Sequence, residues 1–528
     1  MKTSTLFSFL VFTLSTLHST LAADTNSNIT QEIVNNAAAD DIDFSVINSE
    51  DVLNEIASLW SQIAQNTSIT YSEYTSETSD TGTHATSHTS SSLLGSRPSL
   101  SDFLSGGKRI DVHSHVVPDW YRALVPVTGQ NPTPSWDLSS HISFLSSESI
   151  DRAIIAFSAP AANVFQGNKL ATIALARLMN EQVAAYSAAY PNKLKFYASL
   201  LGSRPSLSDF LSGGKRIDVH SHVVPDWYRA LVPVTGQNPT PSWDLSSHIS
   251  FLSSESIDRA IIAFSAPAAN VFQGNKLATI ALARLMNEQV AAYSAAYPNK
   301  LKFYAVVPLP YVQEAIAEAK YAFTKLGAAG IFLTSNFEGT YLGNTAFTPF
   351  FEAIDKMYGK KVLFIHPSTP FVKSDNRLIE ANPTPYPTGN LEFYFETART
   401  LVDLTLTQTI HNYTSIDYII PHVGGAFPAA IDRILKSTPA IYDSSMKIYQ
   451  TRFWWDSAGP TYYHQVSGLL GYNISESQLL FGTDYPYAPL FTQAGSLGAI
   501  LSSPLLTDAE RDALFSTNAG NTFAGVHE

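Results

Sequence analysis

The stretch RIDVHSH at residues 216–222 fixes where the fold begins. Residues two apart on a strand point the same way, so His220 and His222 would project into one space from the end of this strand. Two imidazoles placed in this way can bind one cation. The stretch therefore predicts a first strand that supplies part of a metal site.

Seven further apolar runs follow RIDVHSH. They are DRAIIAF from Asp258, KLKFYAVVPL from Lys300, AAGIFLTS from Ala328, KVLFIHP from Lys361, DYIIPHV from Asp417, FWWDS from Phe453 and QLLFGTDYP from Gln478. The segments between them, such as YVQEAIAEAKYAFTKLG, repeat apolar residues at spacings of three and four, which is typical of helices. Eight alternating units predict an α/β fold, the (β/α)8 TIM barrel. A doubly wound open sheet is the alternative.

Later strands also end in candidate ligands. His366 ends LFIHP, His422 ends IIPHVGG, and Asp484 ends LFGTDYP. Barrel enzymes build their sites at the carboxyl ends of the strands, so we expect these three side chains to meet His220 and His222 there. Three imidazoles and a carboxylate suit one Zn(II) ion, with Mn(II) or Fe(II) as alternatives. Taken singly, His366 is equally consistent with a helix cap and Asp484 with a turn.

The order HxH, HP, HxGG and GTDYP resembles the amidohydrolase-related superfamily, in the branch of aminocarboxymuconate semialdehyde decarboxylase. The segments TPSWDLSSH and GNLEFYFETARTLVDL are similar to the fungal 6-methylsalicylate decarboxylases within it. The resemblance spans residues 216–523 and implies a barrel of the metal-dependent hydrolase type. It also implies a catalytic His422 and the metal ligands His220, His222, His366 and Asp484.

The resemblance extends to substrate binding, with departures. Arg433 matches an arginine that holds a substrate carboxylate across a subunit interface, which implies a homodimer. A second carboxylate-binding arginine has no clear counterpart, and Arg229 is the nearest candidate, with a solvent-exposed role as the alternative. Gly425 stands where related dihydroxybenzoate decarboxylases carry an acidic residue. Asp456 is expected either to orient His422 or to cap a loop.

Several aromatic residues lie in or near the predicted strand-end loops. Each is a candidate to sandwich an aryl ring, with core packing as the alternative. They are Trp227, Trp243, Phe337, Trp454 and Tyr487.

Together these features imply a metal-dependent non-oxidative decarboxylase (carboxy-lyase) of an aromatic or muconate-like acid such as 6-methylsalicylate. The ring carbon that loses CO2 must gain a proton, for which His422 or Asp484 is the expected donor. The alternative is a metal-dependent amidohydrolase or lactonase, in which Asp484 takes a proton from water. A third hypothesis is a binding protein on an inactive barrel that holds no metal.

The remaining composition bears on partners and location. A net charge of -13 without clustered cations excludes a nucleic-acid surface. Residues 1–22 have a basic start, an apolar run and a small-residue end, which predict a signal peptide; the run is too short for a membrane anchor. We therefore expect a protein that is secreted or held in a secretory lumen or vacuole, with no membrane contact after cleavage. Residues 23–91 predict one helix and a disordered Ser/Thr-rich linker.

Residues 92–198 (copy one) and 199–305 (copy two) are identical. Perfect identity indicates either a recent tandem duplication or an error in assembling the gene. Copy two runs on into Val306 and the later strands, so we expect the barrel in 199–528. Copy one is then an incomplete barrel fragment whose apolar faces would be exposed. In the alternative, copy one completes the barrel and copy two loops out, which requires a connection far longer than ordinary loops.

Overall fold

The computed structural model describes two parts of the chain. In copy one these are residues 109–124, 134–159 and scattered residues of 161–196; beyond it they are 206–526, with gaps at 213, 233–239, 375–376, 383–384, 460–461 and 489–496. The chain divides into two compact units, with residues 109–196 in one and 206–526 in the other. The predicted signal peptide and linker, apart from Glu55, lie outside the described residues. Among those residues, no helix has the length and apolar character needed to cross a membrane.

The second unit contains the predicted barrel. Its strands are β1 (Ile217–Val223), β2 (Arg259–Phe264), β3 (Leu301–Val306), β4 (Gly330–Thr334), β5 (Lys361–His366), β6 (Ile416–Ile420), β7 (Phe453–Asp456) and β8 (Leu479–Leu480). They pair in sequence order and in parallel. Each of the eight predicted apolar runs forms one of these strands, because a parallel sheet covered on both faces needs continuous apolar segments.

The sheet closes between its first and last strands. Val219 N donates to Phe481 O at 2.9 Å, and His222 N donates to the Tyr485 carbonyl at 2.7 Å. Asp484 N donates in the opposite direction to His220 O at 2.8 Å. These bonds confirm the barrel and exclude an open doubly wound sheet. They also bring the loop after β8 against the end of β1.

Helices surround the strands. Their bounds are Leu207–Ser212, Asp226–Leu231, Leu245–Ser254, Lys276–Ala296, Val312–Tyr321, Thr348–Lys356, Glu392–Leu406, Thr409–Asn412, Phe427–Lys436, Tyr442–Tyr449, Tyr462–Leu470, Asp508–Asp512 and Asn518–Phe523. Side-chain caps fix several helix starts. Asp244, for example, accepts a bond from Ser247 N at 2.8 Å and begins helix Leu245–Ser254.

Copy one repeats the first part of this pattern but stops after three parallel strands, Ile110–Val116, Arg152–Phe157 and Leu194–Phe196. Residues that the barrel buries are exposed in it. Val112 is 58% exposed and its counterpart Val219 0%; Phe144 is 53% exposed and Phe251 6%. The described part of copy one thus forms a three-stranded sheet with exposed apolar residues, and the eight-stranded sheet contains the strands of copy two.

A buried histidine beside β1 should make folding stability depend on pH. His248 accepts a bond from Trp243 Nε1 at 3.0 Å and pairs with Ser221 Oγ at 2.8 Å, and burial lowers its pKa to about 3. The unfolded imidazole takes up a proton near its ordinary pKa, so stability is complete above about 6.5 and declines as the pH falls toward 3. We expect the stability advantage of the native chain over His248→Gln in urea unfolding to shrink by about 2 kcal/mol between about pH 6.5 and 5. An advantage that stays constant over this range would contradict a neutral buried His248.

Candidate metal centre

Five side chains meet at the carboxyl ends of four barrel strands. β1 contributes His220 and His222, β5 contributes His366, and the loops after β6 and β8 contribute His422 and Asp484. One possible ligand atom from each of His220, His366, His422 and Asp484 lies within 4.8 Å of the others. The imidazoles are buried, and the Asp484 side chain is 19% exposed. The structure thus brings all five predicted residues to one place.

His222 also belongs to this cluster. The four residues whose ligand atoms lie within 4.8 Å of one another include His422, whereas the sequence indicated His222 as the ligand. Nε2 of His222 lies 3.1 Å from Nε2 of His220 and 3.3 Å from Oδ1 of Asp484. The ring centroids of His222 and His366 are 4.7 Å apart. Metal binding by His222 therefore stays a prediction, and His422 becomes a further candidate ligand.

Hydrogen bonds outside the cluster select the tautomers of two imidazoles. Nδ1 of His366 lies 2.7 Å from the Pro367 carbonyl, and Nδ1 of His220 lies 2.9 Å from Oδ2 of Asp456. A carbonyl and an ionised carboxylate can only accept, so the proton sits on Nδ1 in both rings. Each Nε2 faces the cluster and, in the neutral ring, carries the lone pair that a metal ligand requires.

The charges of the cluster also suit a cation. Burial lowers the pKa of His220, but Asp456 and Asp484 outweigh burial and raise it to about 10. Burial lowers the pKa of His222 and that of His366. Burial raises the pKa of Asp484, yet hydrogen bonds from three imidazoles hold it well below its ordinary value. The cluster therefore offers an ionised carboxylate, and imidazoles from which a binding metal ion displaces the proton.

Two residues of the cluster adopt left-handed backbone conformations. His422 has φ of 54° and Asp484 has φ of 58°. A non-glycine residue in this region costs on the order of 1–3 kcal/mol. Hydrogen bonds hold both: His422 N donates to Oδ1 of Asp456 at 3.1 Å, and Asp484 N donates to the His220 carbonyl. Neighbouring groups thus fix the strained backbones that carry these two side chains.

Asp456, at the end of β7, supports the cluster from behind. Its Oδ2 accepts from the His220 imidazole, and its Oδ1 accepts from the backbone N of His422 and, at 3.0 Å, of Ala458. The sequence suggested either an orienting role toward His422 or a loop cap. In the structure Asp456 orients His422 through its backbone N and caps the loop through the N of Ala458. It also binds the His220 imidazole on β1, a contact that the sequence did not indicate.

Removing the Asp456 charge should weaken metal binding. The side-chain amide of Asp456→Asn would keep one acceptor oxygen but could not accept from His220 and the two backbone groups together. We expect metal affinity to fall about 10–100-fold, measured by competition with a chelator. The control is Asp417→Asn, at the amino end of β6, which loses the negative charge that pairs with Lys360. An equal loss of affinity in both variants would mean that destabilisation alone is the cause.

One predicted aromatic residue faces the cluster. The Tyr487 ring centroid lies 5.6 Å from that of His222, and its hydroxyl lies 2.5 Å from Ser265 Oγ. Burial raises the pKa of Tyr487, and the positive charge of Arg229 opposes this rise. Arg229 pairs with Asp226 at 2.8 Å, and its Nε is buried without a hydrogen-bond partner. The charge of Arg229 therefore acts on Tyr487, whose ring faces His222.

Two other predicted contacts do not reach the cluster. Trp227 has no exposed surface and packs against Tyr228 and Phe264. This burial favours the core-packing alternative for Trp227, because no part of the ring is accessible. Arg433 is exposed in the last turn of helix Phe427–Lys436, and its role across a subunit interface stays a prediction.

The sequence did not single out two half-buried rings next to the imidazoles. Phe393 lies 6.1 Å from His366 and Tyr394 5.8 Å from His422, between ring centroids. Both lie in GNLEFYFETARTLVDL, which contributed to the resemblance but had no role assigned. Tyr394 also explains Gly425: a Cβ there would lie 2.9 Å from Tyr394 Cα, so an acidic side chain at this position has no room.

Comparison of the sequence with known proteins finds enzymes among its relatives. The sequence model of a family described as amidohydrolase matches residues 217–524. The decarboxylase yanB of Aspergillus niger is 32% identical over 52% of this chain and 78% of its own length. The decarboxylase macB of Penicillium terrestre is 30% identical over 52% and 86%. The 6-methylsalicylic acid decarboxylase acuB of Aspergillus aculeatus is 28% identical over 52% and 85%.

Solved structures share the barrel. An amidohydrolase II structure superposes with a TM-score of 0.54 at 26% identity, covering 58% of this chain and 99% of its own. The 5-carboxyvanillate decarboxylase of Novosphingobium aromaticivorans, solved with manganese and a nitrobenzoic acid, gives a TM-score of 0.50 at 19% identity and covers 62% and 99%. At this identity the second likeness concerns the fold alone.

Proposed function

Because the chain belongs to the amidohydrolase family, we propose that it is a metal-dependent, non-oxidative decarboxylase of an aromatic carboxylic acid such as 6-methylsalicylate. Family membership confirms the resemblance drawn from the HxH, HP, HxGG and GTDYP motifs. The curated relatives described above are decarboxylases, and two of the matched relatives are named for 6-methylsalicylic acid. The convergence of His220, His222, His366, His422 and Asp484 is the observation that carries the proposal.

One divalent ion fits the cluster. Asp484 supplies an anionic oxygen, and the fixed tautomers of His220 and His366 supply nitrogen lone pairs. This set suits Zn(II), and Mn(II) is the alternative, since a decarboxylase with this fold was solved with manganese. The ion, when bound, supplies positive charge that polarises oxygens of the substrate. Elemental analysis of the purified protein identifies the ion.

The side chains around the cluster would orient the acid and move the proton. Arg229 has a positive charge beside Tyr487 and an unpaired Nε, so it can attract the substrate carboxylate. The bond between the ring carbon and the carboxyl carbon breaks, CO2 leaves, and the ring carbon takes a proton. Asp484 is ionised, so it can donate only after it has taken a proton from the substrate. His422, next to it, is the other donor.

Product analysis tests this function. Incubation with 6-methylsalicylate is expected to yield CO2 and m-cresol in equal amounts. Liquid chromatography separates m-cresol from the remaining acid. A lactone, an ester and an amide serve as parallel substrates. Cleavage of one of these, without decarboxylation of any ortho-hydroxybenzoate, would instead establish the hydrolase. Purified protein without bound metal would favour an inactive barrel that only binds ligands.

The assembly and location of the protein remain proposals with their own tests. The homodimer rests on Arg433, and light scattering of the native chain and Arg433→Ala tests it. Secretion rests on residues 1–22, and mass spectrometry of protein recovered from culture medium would reveal cleavage near Ala22.

A further inference from the structure

A buried carboxylate lies behind His366 on helix Glu392–Leu406. Glu396 has no exposed surface, and four side chains donate to it. Its Oε2 accepts from Ser335 Oγ at 3.0 Å and from Asn336 Nδ2 at 2.9 Å. Its Oε1 accepts from Tyr341 OH at 2.6 Å and from Arg399 Nη1 at 2.8 Å. A buried carboxylate with this many donors holds its surroundings in one arrangement.

Two of these donors also bind the segment that carries His366. Ser335 N donates to the His366 carbonyl at 2.8 Å, and Ser335 Oγ accepts from Ser368 N at 3.1 Å. Asn336 Nδ2 reaches Ser368 Oγ at 3.2 Å and the Thr369 carbonyl at 3.1 Å. The chain is thus tied on both sides of Pro367, whose carbonyl sets the tautomer and angle of the His366 ring.

The same helix touches the ring itself. Phe393 lies one turn before Glu396, and its ring meets that of His366 at an interplanar angle of 78°. Movement of the helix relative to β5 would therefore disturb both the ring and the peptide that orients it. Glu396 joins this helix to Ser335 and Asn336 after β4, and these two residues in turn bond the segment after β5.

We propose that Glu396 is a positioning residue that, through Ser335 and Asn336, fixes the Pro367 carbonyl and so aims His366 Nε2 into the metal centre. The proposal deepens the metal site on which the proposed function rests, but it does not depend on which reaction the site performs. It assigns a task to GNLEFYFETARTLVDL, which the proposed function leaves unused.

Glu396→Gln tests this with little change in shape. One acceptor oxygen becomes an amide that can only donate, so it must face either Asn336 Nδ2 or Arg399 Nη1, and neither can accept. We expect metal affinity, measured by chelator competition, to fall about 10–100-fold. A crystal structure of the variant should show the His366 ring turned away from the Pro367 carbonyl. Ser335→Ala removes one link of the same network and should show a smaller effect in the same direction.

The matched control is Glu318→Gln, on helix Val312–Tyr321. Glu318 is also buried and accepts from Asn287 Nδ2 at 2.7 Å. We expect this change to lower thermal stability and to leave metal affinity and the His366 ring unchanged. The proposal is overturned if Glu396→Gln changes neither the metal affinity nor the orientation of the His366 ring. It is also overturned if Glu396→Gln and Glu318→Gln lose metal affinity equally. Should the native chain bind metal without decarboxylating, only the proposed function fails; should it bind none, the ring orientation in the two variants still decides the role of Glu396.

Discussion

Alanine at His220 and His222 together should abolish activity, with kcat/KM falling by at least about a thousandfold. Both Nε2 atoms face the cluster, and the lost imidazoles leave Asp484 without two of its three imidazole partners. Metal content should fall with activity, because too few ligands remain to hold a divalent ion. Initial rates and elemental analysis on the same samples measure both effects.

The chain contains its own control for this prediction. His113 and His115 lie in the identical segment of copy one, with their Nε2 atoms 3.0 Å apart, but both are exposed. Among the described residues they join no group of three or more possible ligands. His113→Ala with His115→Ala should therefore leave rate and metal content within about twofold of the native values. An equal loss from both double variants would show that copy one contributes to the barrel.

Asparagine at Asp484 should have an effect of similar size. The Asp484 carboxylate lies 3.3 Å from His222 Nε2 and 3.7 Å from His422 Nε2. The amide of Asp484→Asn has nearly the same shape but no charge, so the site loses its anionic ligand and one of its two candidate proton donors. We expect metal affinity to fall and kcat to drop at least about a thousandfold at saturating metal.

Measurement at saturating metal separates the two roles of Asp484. Activity restored by excess metal would limit Asp484 to ligand binding, whereas full occupancy without turnover would assign it to proton transfer. Asp508→Asn, at an exposed helix start, is the control for loss of a negative charge. A variant at Asp484 that keeps both metal and rate would contradict the site.

The strands and the ends at which they carry ligands were predictable from the sequence. Each apolar run became a strand because burial on both faces of a parallel barrel selects continuous apolar segments. The placement of His366, His422 and Asp484 followed from the rule that parallel strands end at one rim. Both predictions rest on patterns within a few residues, combined with the rule that all strands of a parallel barrel end at the same rim.

Supporting contacts were harder to predict because they join distant parts of the chain. Asp456 pairs with an imidazole on β1, and Glu396 binds Ser335 and Asn336 after β4. No local spacing marks such pairs. For Trp227, the position near a strand end was consistent with a substrate contact or with core packing, and its full burial favours packing.

The duplication separates what sequence determines from what tertiary structure decides. In both copies IDVHSHV forms a strand, the same aspartate caps the same helix, and the corresponding tryptophan donates to the corresponding histidine. These features agree because they depend on neighbouring residues, which are identical. Among the described residues, only the histidine pair of copy two is buried and joined by His366, His422 and Asp484. The third strand of copy two continues through Val306 into the rest of the barrel, and a site built from separated strands exists only where the sheet closes.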